Sequence, residues 1–419
     1  MFKRKILYLS MSIPYNNVRH AGGKTFNYYI NSFAEDKDND VTLIAKVLPE
    51  EEKEVKNINH NIRTLLVRTP KKKIKKYLAY LKSLNSKFNP LYPYGNVLTK
   101  EIFDQIERQL NRLTKENYQP DVVILEWTWM LLFIDRVMKY FPDSKYVASE
   151  HDVSFLGAKR ELNQAKGIRK INRKLYYQNL KKRELKSIKK CDYVVTHNNK
   201  DRCILLDNGI EKSKLGVIVP YFEKPDPVPR ENTCNDIIFY GAMNRYENEI
   251  SALWFIKNVM PRIKDLNIRY VIIGNKPSEE LKKFSSERIV VTGFVEDIRP
   301  YFSKAKCLAA PIQAGAGVKV KILEAMAMGV PVLTNSMGIE GIDARNGLEY
   351  IHCESPEEYE NAIRKIVNGE VCTEKMSKLE VEMIERQYDR EKSYIQYSNK
   401  IYELIGEVKY GEYETFSVK

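Results

Sequence analysis

Two successions of short apolar strands, none with polar alternation, flank the proline-rich stretch PYFEKPDPVPRENTCN at 220–235. KILYLS (5–10), VTLIAK (41–46), DVVILEW (121–127), KYVASE (145–150), DYVVTH (192–197) and LGVIVP (215–220) precede it, spaced by helical patterns such as the one near 24–34. DIIFYGAM (236–243), RYVIIG (269–274), IVVTGF (289–294), KCLAAPI (306–312) and VPVLTN (330–335) follow, with helices expected over 249–265, 318–328 and 355–368. A strand that is apolar on both sides must be covered on both, so the alternation specifies parallel sheets between layers of helix. Proline denies the 220–235 link both helix and central strand. The expected fold is α/β, with two doubly wound, Rossmann-like domains over 1–219 and 236–388. The charged helical pattern from about 374 to 408 has no strand after it, so 389–419 is read as a C-terminal helix and tail crossing back over the domains. Ligands of such sheets bind beyond the carboxyl ends of the strands, which places the expected site in a cleft between the two domains.

Charge divides the chain at the same place. Residues 1–230 hold 44 Lys+Arg against 26 Asp+Glu, whereas 231–419 hold 25 against 29. A basic first half calls for an anionic partner: a phosphorylated substrate, an acidic lipid surface or a nucleic acid. Two stretches concentrate the charge, KKKIKKYLAYLKS (71–83) and KGIRKINRKLYYQNLKKRELKSIKK (166–190). Each mixes lysine with tyrosine and leucine at helical spacing, which suits either a solvated face or a helix lying on an anionic membrane. No apolar run is long enough to span a bilayer. The N-terminal MFKRKILYLSMSIPYNN is basic and then apolar, but the apolar part is short and no small-residue cleavage site follows. It reads as a first buried strand, and the expected location is the cytoplasm, with a peripheral place on the inner face of the membrane as the extension of the lipid reading. The six cysteines (191, 203, 234, 307, 353, 372) form no CxxC pair and no histidine lies at ligand spacing, so a reduced compartment and no structural zinc are expected. DKDND (36–40) lacks the glycine and glutamate of a calcium loop, with Val41 and Leu48 in their places, and is a solvated turn.

The chemistry concentrates in GAGVKVKILEAMAMGVPVL (315–333). Gly315 and Gly317 lie between a strand and a helix, where free N–H groups with no side chain in the way suit a phosphate. Lys319 and Lys321 add cationic reach, and Glu324 shares a helix face with Lys321. Glu324 stands among Ile322, Leu323, Ala325, Met326, Ala327 and Met328. A carboxylate there needs a partner, because an unpaired buried charge costs several kcal/mol; two vicinal ribose hydroxyls are one such partner, and a surface Lys–Glu pair is the plainer alternative. Gly22 and Gly23 precede a helix in RHAGGKTFNYY, with Lys24 beside them, and allow a phosphate or an acceptor to approach closely. His151 stands at a strand end in SEHDV, where Asp152 is read as orienting the loop.

These segments carry a resemblance. GAGVKVKILEAMAMGVPVLTNSMGIEGI (315–342), IIFYGAMNRYENEISALWFIKNVMPRI (237–263) and VTGFVEDIRPYFSKAKCLAAPI (291–312) resemble, in order, the GT-B glycosyltransferases of family 4. SEHDV (149–153) and CDYVVTHNNKD (191–201) fall where that family's first domain has its counterparts, and the likeness is weakest over 50–120. The resemblance implies a GT-B fold and transfer of a sugar from a nucleotide diphosphate donor with retention of configuration, without cofactor or metal. It implies that Glu324 binds the donor ribose and that His151 hydrogen-bonds the donor sugar. Gly22, Gly23, Gly315, Gly317, Lys319 and Lys321 are the remaining donor contacts. Backbone around Gly293–Asp297 is the implied contact of the base. Two departures stand out: the first of the family's paired glutamates would fall at 316, where this chain has Ala316, and the turn GAMNRYEN offers Arg245 where the family often has an Arg and a following Lys. Similar family members serve bacterial surface polysaccharide synthesis, so the implied acceptor is a glycan or a lipid-linked glycan. An epimerase or phosphorylase on the same architecture, or a basic module binding a polyanion, are the other readings. Neither clustered cleft acids and histidines nor a zinc-finger, RNP or GXXG pattern backs them.

Overall fold

The computed structural model describes residues 3–16, 18, 21–68, 100–220, 222–230, 234–315 and 317–407. The basic stretch at 71–83, Ala316 and the tail from 408 lie outside the described residues. The chain forms two units, one built from the residues up to 220 together with those from Arg390 onward, the other from Phe222–Asp389.

The first unit contains a seven-stranded sheet in the order β3-β2-β1-β4-β5-β6-β7. Its strands are β1 (Arg4–Ser10), β2 (Asn39–Val47), β3 (Ile62–Arg68), β4 (Val122–Glu126), β5 (Lys145–Glu150), β6 (Tyr193–Thr196) and β7 (Leu215–Val217). All pairs are parallel; β1 meets β4 with Ile6 opposite Val122 and Leu9 opposite Leu125. Side chains of a strand alternate between faces, and here both faces are core. Leu7, Leu9, Val123 and Leu125 pack with Ile106, Leu110, Ile134, Phe155 and Leu180. Ile6, Tyr8, Val122 and Ile124 face Phe26, Ile30 and Phe33 of the helix Ala21–Glu35. The helix Arg390–Leu404 completes that second face. Tyr397 meets Tyr29 and Phe33 edge-on at 5.7 and 5.3 Å, and the Arg4 guanidinium lies 4.0 Å over the Tyr402 ring.

The second unit has a six-stranded parallel sheet in the order β10-β9-β8-β11-β12-β13. The strands are β8 (Asp236–Tyr240), β9 (Arg269–Ile273), β10 (Ile289–Gly293), β11 (Ala305–Ala310), β12 (Val332–Thr334) and β13 (Ile351–His352). Ser355 and Glu358 form a reciprocal capping box that starts the helix Pro356–Val367, with proline in its first turn. The strand order reverses between β1 and β4 in the first sheet and between β8 and β11 in the second, which is where a doubly wound sheet opens a crevice. The turns after β8 and β9 touch: a Cβ on Gly274, at φ +151°, would stand 1.8 Å from the Gly241 carbonyl oxygen.

Several boundaries differ from expectation. The glycine pair 22–23 lies inside the first turn of the helix Ala21–Glu35 rather than before it. Trp127 leaves β4 and opens a short helix, Trp127–Leu131. The helix expected over 249–265 runs Tyr246–Asn258, and the one expected over 318–328 runs Val320–Ala327. The long C-terminal pattern breaks at Tyr388 and Asp389 into Thr373–Gln387 and Arg390–Leu404, which belong to different units. Because Tyr397 is 2% exposed between Tyr29 and Phe33, replacing it with alanine is expected to cost about 3–5 kcal/mol, read as a lowered urea midpoint by the circular dichroism of the full chain.

Candidate functional site

In the first unit the polar groups collect where β4, β5 and β6 end. Glu126, the last residue of β4, is 2% exposed and its Oε2 lies 2.9 Å from His151 Nε2. Trp127 stacks on the same imidazole at 4.6 Å, and the His197 ring lies 4.5 Å away on another side. Gly22 closes a further side, since a Cβ there would come within 3.2 Å of His151 Nδ1. The structure therefore brings Gly22 and His151 together, with Gly23 and Lys24 on the same helical turn. Burial pushes the Glu126 carboxyl up to about 7, against a hydrogen bond from Ser149 and the nearby His197. His197 donates from Nδ1 to the Ile218 carbonyl at 2.8 Å, and burial brings it down to about 3, so it is neutral. Beneath this layer Thr128 donates to Glu150 at 2.5 Å, while Glu184 accepts the backbone N–H groups of Ser154 and Phe155 at 2.9 and 3.0 Å. Glu184 thereby caps the helix that follows Asp152 and Val153.

In the second unit the polar groups collect beyond β8 and β11. Glu324 is only partly buried although its helical neighbours Leu323 and Ala325 are fully so. Its Oε2 accepts the Tyr240 hydroxyl, which comes from the end of β8. Tyr240 is steadied edge-on against Phe302 at 5.0 Å, and burial together with the Glu324 charge raises its hydroxyl well above the ordinary range. Lys321 donates to the Asn248 side-chain oxygen, and its ammonium lies 4.6 Å over the Phe239 ring. Burial chiefly, then the positive charge of Arg245, brings Lys321 down to about 7. Gly241 permits this arrangement: a Cβ there would stand 2.9 Å from Lys321 Nζ. Lys319 bends back to the Gly317 carbonyl at 2.6 Å and lies 3.9 Å from Glu340. Gly315 and Gly317 both adopt positive φ, +117° and +71°. Arg245 is largely exposed and pairs with Glu247. Thus Lys321, Glu324 and the β8 turn come together, with Lys319 directed to its own loop. Among the described residues no group of three or more His, Cys, Asp or Glu could hold a metal ion.

Residues of these clusters that escaped sequence reading include Glu126, Trp127, His197, Tyr240 and Asn248. Glu126 and Tyr240 end apolar strands, and a polar last residue after the apolar runs VVIL and IIF was the available signal.

Comparison with known proteins identifies the fold. Solved GT-B glycosyltransferases share the fold. The lipopolysaccharide outer core galactosyltransferase WaaB in its apo form aligns with a TM-score of 0.62 at 14% identity, over 95% of this chain and 99% of that one. HepE of Anabaena in complex with UDP gives 0.61 at 12%, with coverage of 95% and 99%. Sucrose-phosphate synthase of Thermosynechococcus elongatus gives 0.65 at 11%, with coverage of 96% and 100%. The model of the family described as glycosyl transferases group 1 matches residues 234–369, within the second unit. An uncharacterized 44.6 kDa protein in the cps region of Klebsiella pneumoniae is 28% identical over 165 residues, which make up 36% of this chain and 42% of that protein.

Burying carboxyls has a thermodynamic consequence. Glu150 is raised from the ordinary 4.5 to about 8, by burial first and by Asp152, Asp201 and Glu126 after it. The folded state then keeps a proton that the unfolded chain releases, so stability falls as pH rises from about 4.5 through 8. Glu150→Gln removes this loss. The variant is expected to match the wild type near pH 5 and to exceed it by about 1–3 kcal/mol above pH 8, measured by urea denaturation at both values.

Proposed function

We propose that the protein is a retaining glycosyltransferase that moves a sugar from a nucleotide diphosphate donor to a saccharide or lipid-linked saccharide, in the synthesis of a bacterial capsule, exopolysaccharide or cell-wall glycan. The observation that carries the donor reading is Glu324, held by Tyr240 at the switch point between β8 and β11, one helical turn from Lys321. A carboxylate offers about four lone-pair sites, enough to accept the Tyr240 hydroxyl and two ribose hydroxyls together. Lys321, Arg245 and the N–H groups of Gly315 and Gly317 supply positive potential for the diphosphate. HepE binds UDP, and a uridine donor is the first choice here. His151 meets the transferred sugar. The leaving phosphate oxygen takes the acceptor proton on the face it departs from, so preorganised cations and N–H groups supply the rate and no metal or cofactor is required. The relative from a cps region supports the polysaccharide context.

The acceptor side extends to a membrane surface. On the helix Gly167–Ile188, Ile171 and Leu175 are 62% and 48% exposed, one turn apart. Arg169, Lys170 and Lys174 surround them, and the helix's single acid, Glu184, is buried. Exposed aliphatic side chains within a cationic field suit anionic lipid headgroups and the acyl boundary beneath them. Among the described residues no helix is long and apolar enough to cross a membrane. A peripheral place on the inner membrane face follows from this reading.

A thermal-shift comparison of UDP, GDP, ADP, TDP and CMP tests the donor site. One nucleoside diphosphate is expected to stabilise the chain, and Glu324→Ala is expected to weaken its binding by tenfold or more. Equal affinity in the variant, or no shift with any nucleotide, counts against the donor reading. For the membrane, sedimentation with phosphatidylserine vesicles is expected to fall several-fold in Ile171→Ser/Leu175→Ser. Unchanged sedimentation removes this helix from the surface.

A further inference from the structure

The end of β4 holds more than the reaction above uses. His151 is fixed on several sides by groups from separate elements: Glu126 at 2.9 Å from Nε2, the Trp127 ring stacked at 4.6 Å and 22°, and the His197 ring at 4.5 Å. The Gly22 backbone lies against Nδ1. Trp127 adopts φ +64° to take part. A bulky residue occupies the left-handed region only at a cost, and such strain gathers at functional sites. The turn it makes lets two consecutive residues grip one imidazole, Trp127 by its ring and Glu126 by its carboxyl. His197 adds direction. Its Nδ1 faces the Ile218 carbonyl, which only accepts, so Nδ1 carries the hydrogen. Its Nε2 is buried with no hydrogen-bond partner. A neutral ring is thus laid beside His151, and it offers no positive charge to repel a proton there.

We propose that Glu126 is a positioning residue for His151: its carboxylate accepts the Nε2 hydrogen, which leaves Nδ1 as the acceptor nitrogen, turned toward the amino end of the helix Ala21–Glu35. Any group that meets the ring at Nδ1 must then donate, and a sugar hydroxyl does. The role in transfer rests on the reading of His151 given above; the tautomer does not. The titratable groups facing Glu126 are His151, His197, Glu150, Tyr8 and Tyr397. Burial holds the Glu126 carboxyl at about 7, so it accepts above that pH. Below it the carboxyl carries its own hydrogen and becomes the donor to Nε2, which reverses the tautomer of the imidazole.

Long-range proton–nitrogen spectra of the full chain labelled with 15N-histidine read this directly, with His151 assigned by its loss in His151→Ala. At pH 8 the wild type is expected to show Nε2 protonated and Nδ1 bare, and to lose that preference as the pH falls through 7. Glu126→Ala is expected to give a mixture of tautomers. Glu126→Gln, which keeps an acceptor oxygen and the side-chain shape but cannot titrate, is expected to keep the Nε2–H form and lose the pH dependence. A wild-type ring protonated at Nδ1 at pH 8 overturns the proposal, as does the same single tautomer in Glu126→Ala. With UDP-glucose as probe donor, Glu126→Ala is expected to lower kcat tenfold or more with UDP affinity unchanged. The double variant with His151→Ala is expected to be no slower than His151→Ala alone; additive losses overturn the positioning role. A wild type that turns over no UDP-glucose counts against that donor as substrate, and the spectra then decide on Glu126.

Discussion

A parallel sheet buried on both faces leaves its strand ends as the places where polar chemistry can stand. In the first unit Leu7, Leu9, Val123 and Leu125 belong to one core and Ile6, Tyr8, Val122 and Ile124 to the other. A charge placed anywhere along those strands would meet hydrocarbon. The chain instead changes character at the last residue: Glu126 after VVIL, Tyr240 after DIIF, Glu150 after KYVAS. Each unit gathers these residues at the crevice where its sheet reverses order. The location of chemistry is therefore a consequence of burial rather than an addition to it.

Both clusters solve the problem of a carboxyl near hydrocarbon by pairing it with a neighbour from another element. Glu324 takes the hydroxyl of Tyr240, and Glu126 takes His151. The outcomes differ because the surroundings differ. Glu324 is partly exposed on a short helix, which suits a ligand. Glu126 is closed in, so its charge works on the histidine and is not offered to solvent. Lys321 completes the contrast: a lysine lowered to about 7 beside an exposed Arg245 is poised to gain its proton when an anion arrives.

Much of the architecture was legible because a continuous apolar run has few alternatives. Eleven strands stand where Val, Ile and Leu cluster, and the turn residues between them mark the helices. The two strands not foreseen are instructive. Ile62–Arg68 is an edge strand that carries arginine and threonine among its apolar residues, and Ile351–His352 is two residues long. Charged helical periodicity continues on both sides of Tyr388 and Asp389, so the periodicity by itself gives no sign of the break there. At the candidate site, sequence picked out residues with unusual neighbours, such as Glu324 among apolar residues and the glycines of 315–317. It did not indicate Asn248, His197 or Glu126, because their partners lie 73, 46 and 25 positions away in the chain. Pairing over such distances is set by the sheet order, not by any local pattern.

The first unit is discontinuous in the chain, and this sets an order of events during synthesis. When residue 220 leaves the ribosome, β1 to β7 have all emerged, yet Phe33 and Tyr29 still lack the tyrosines at 394 and 397 that cover them. The whole of Phe222–Asp389 must be made before the helix Arg390–Leu404 can dock. The second unit has its entire sequence in hand first, although it comes later. A vectorial folder of this kind carries an exposed aromatic face through roughly the last half of its translation, about ten to forty seconds at ordinary elongation rates, and that interval is when a holding chaperone would find it.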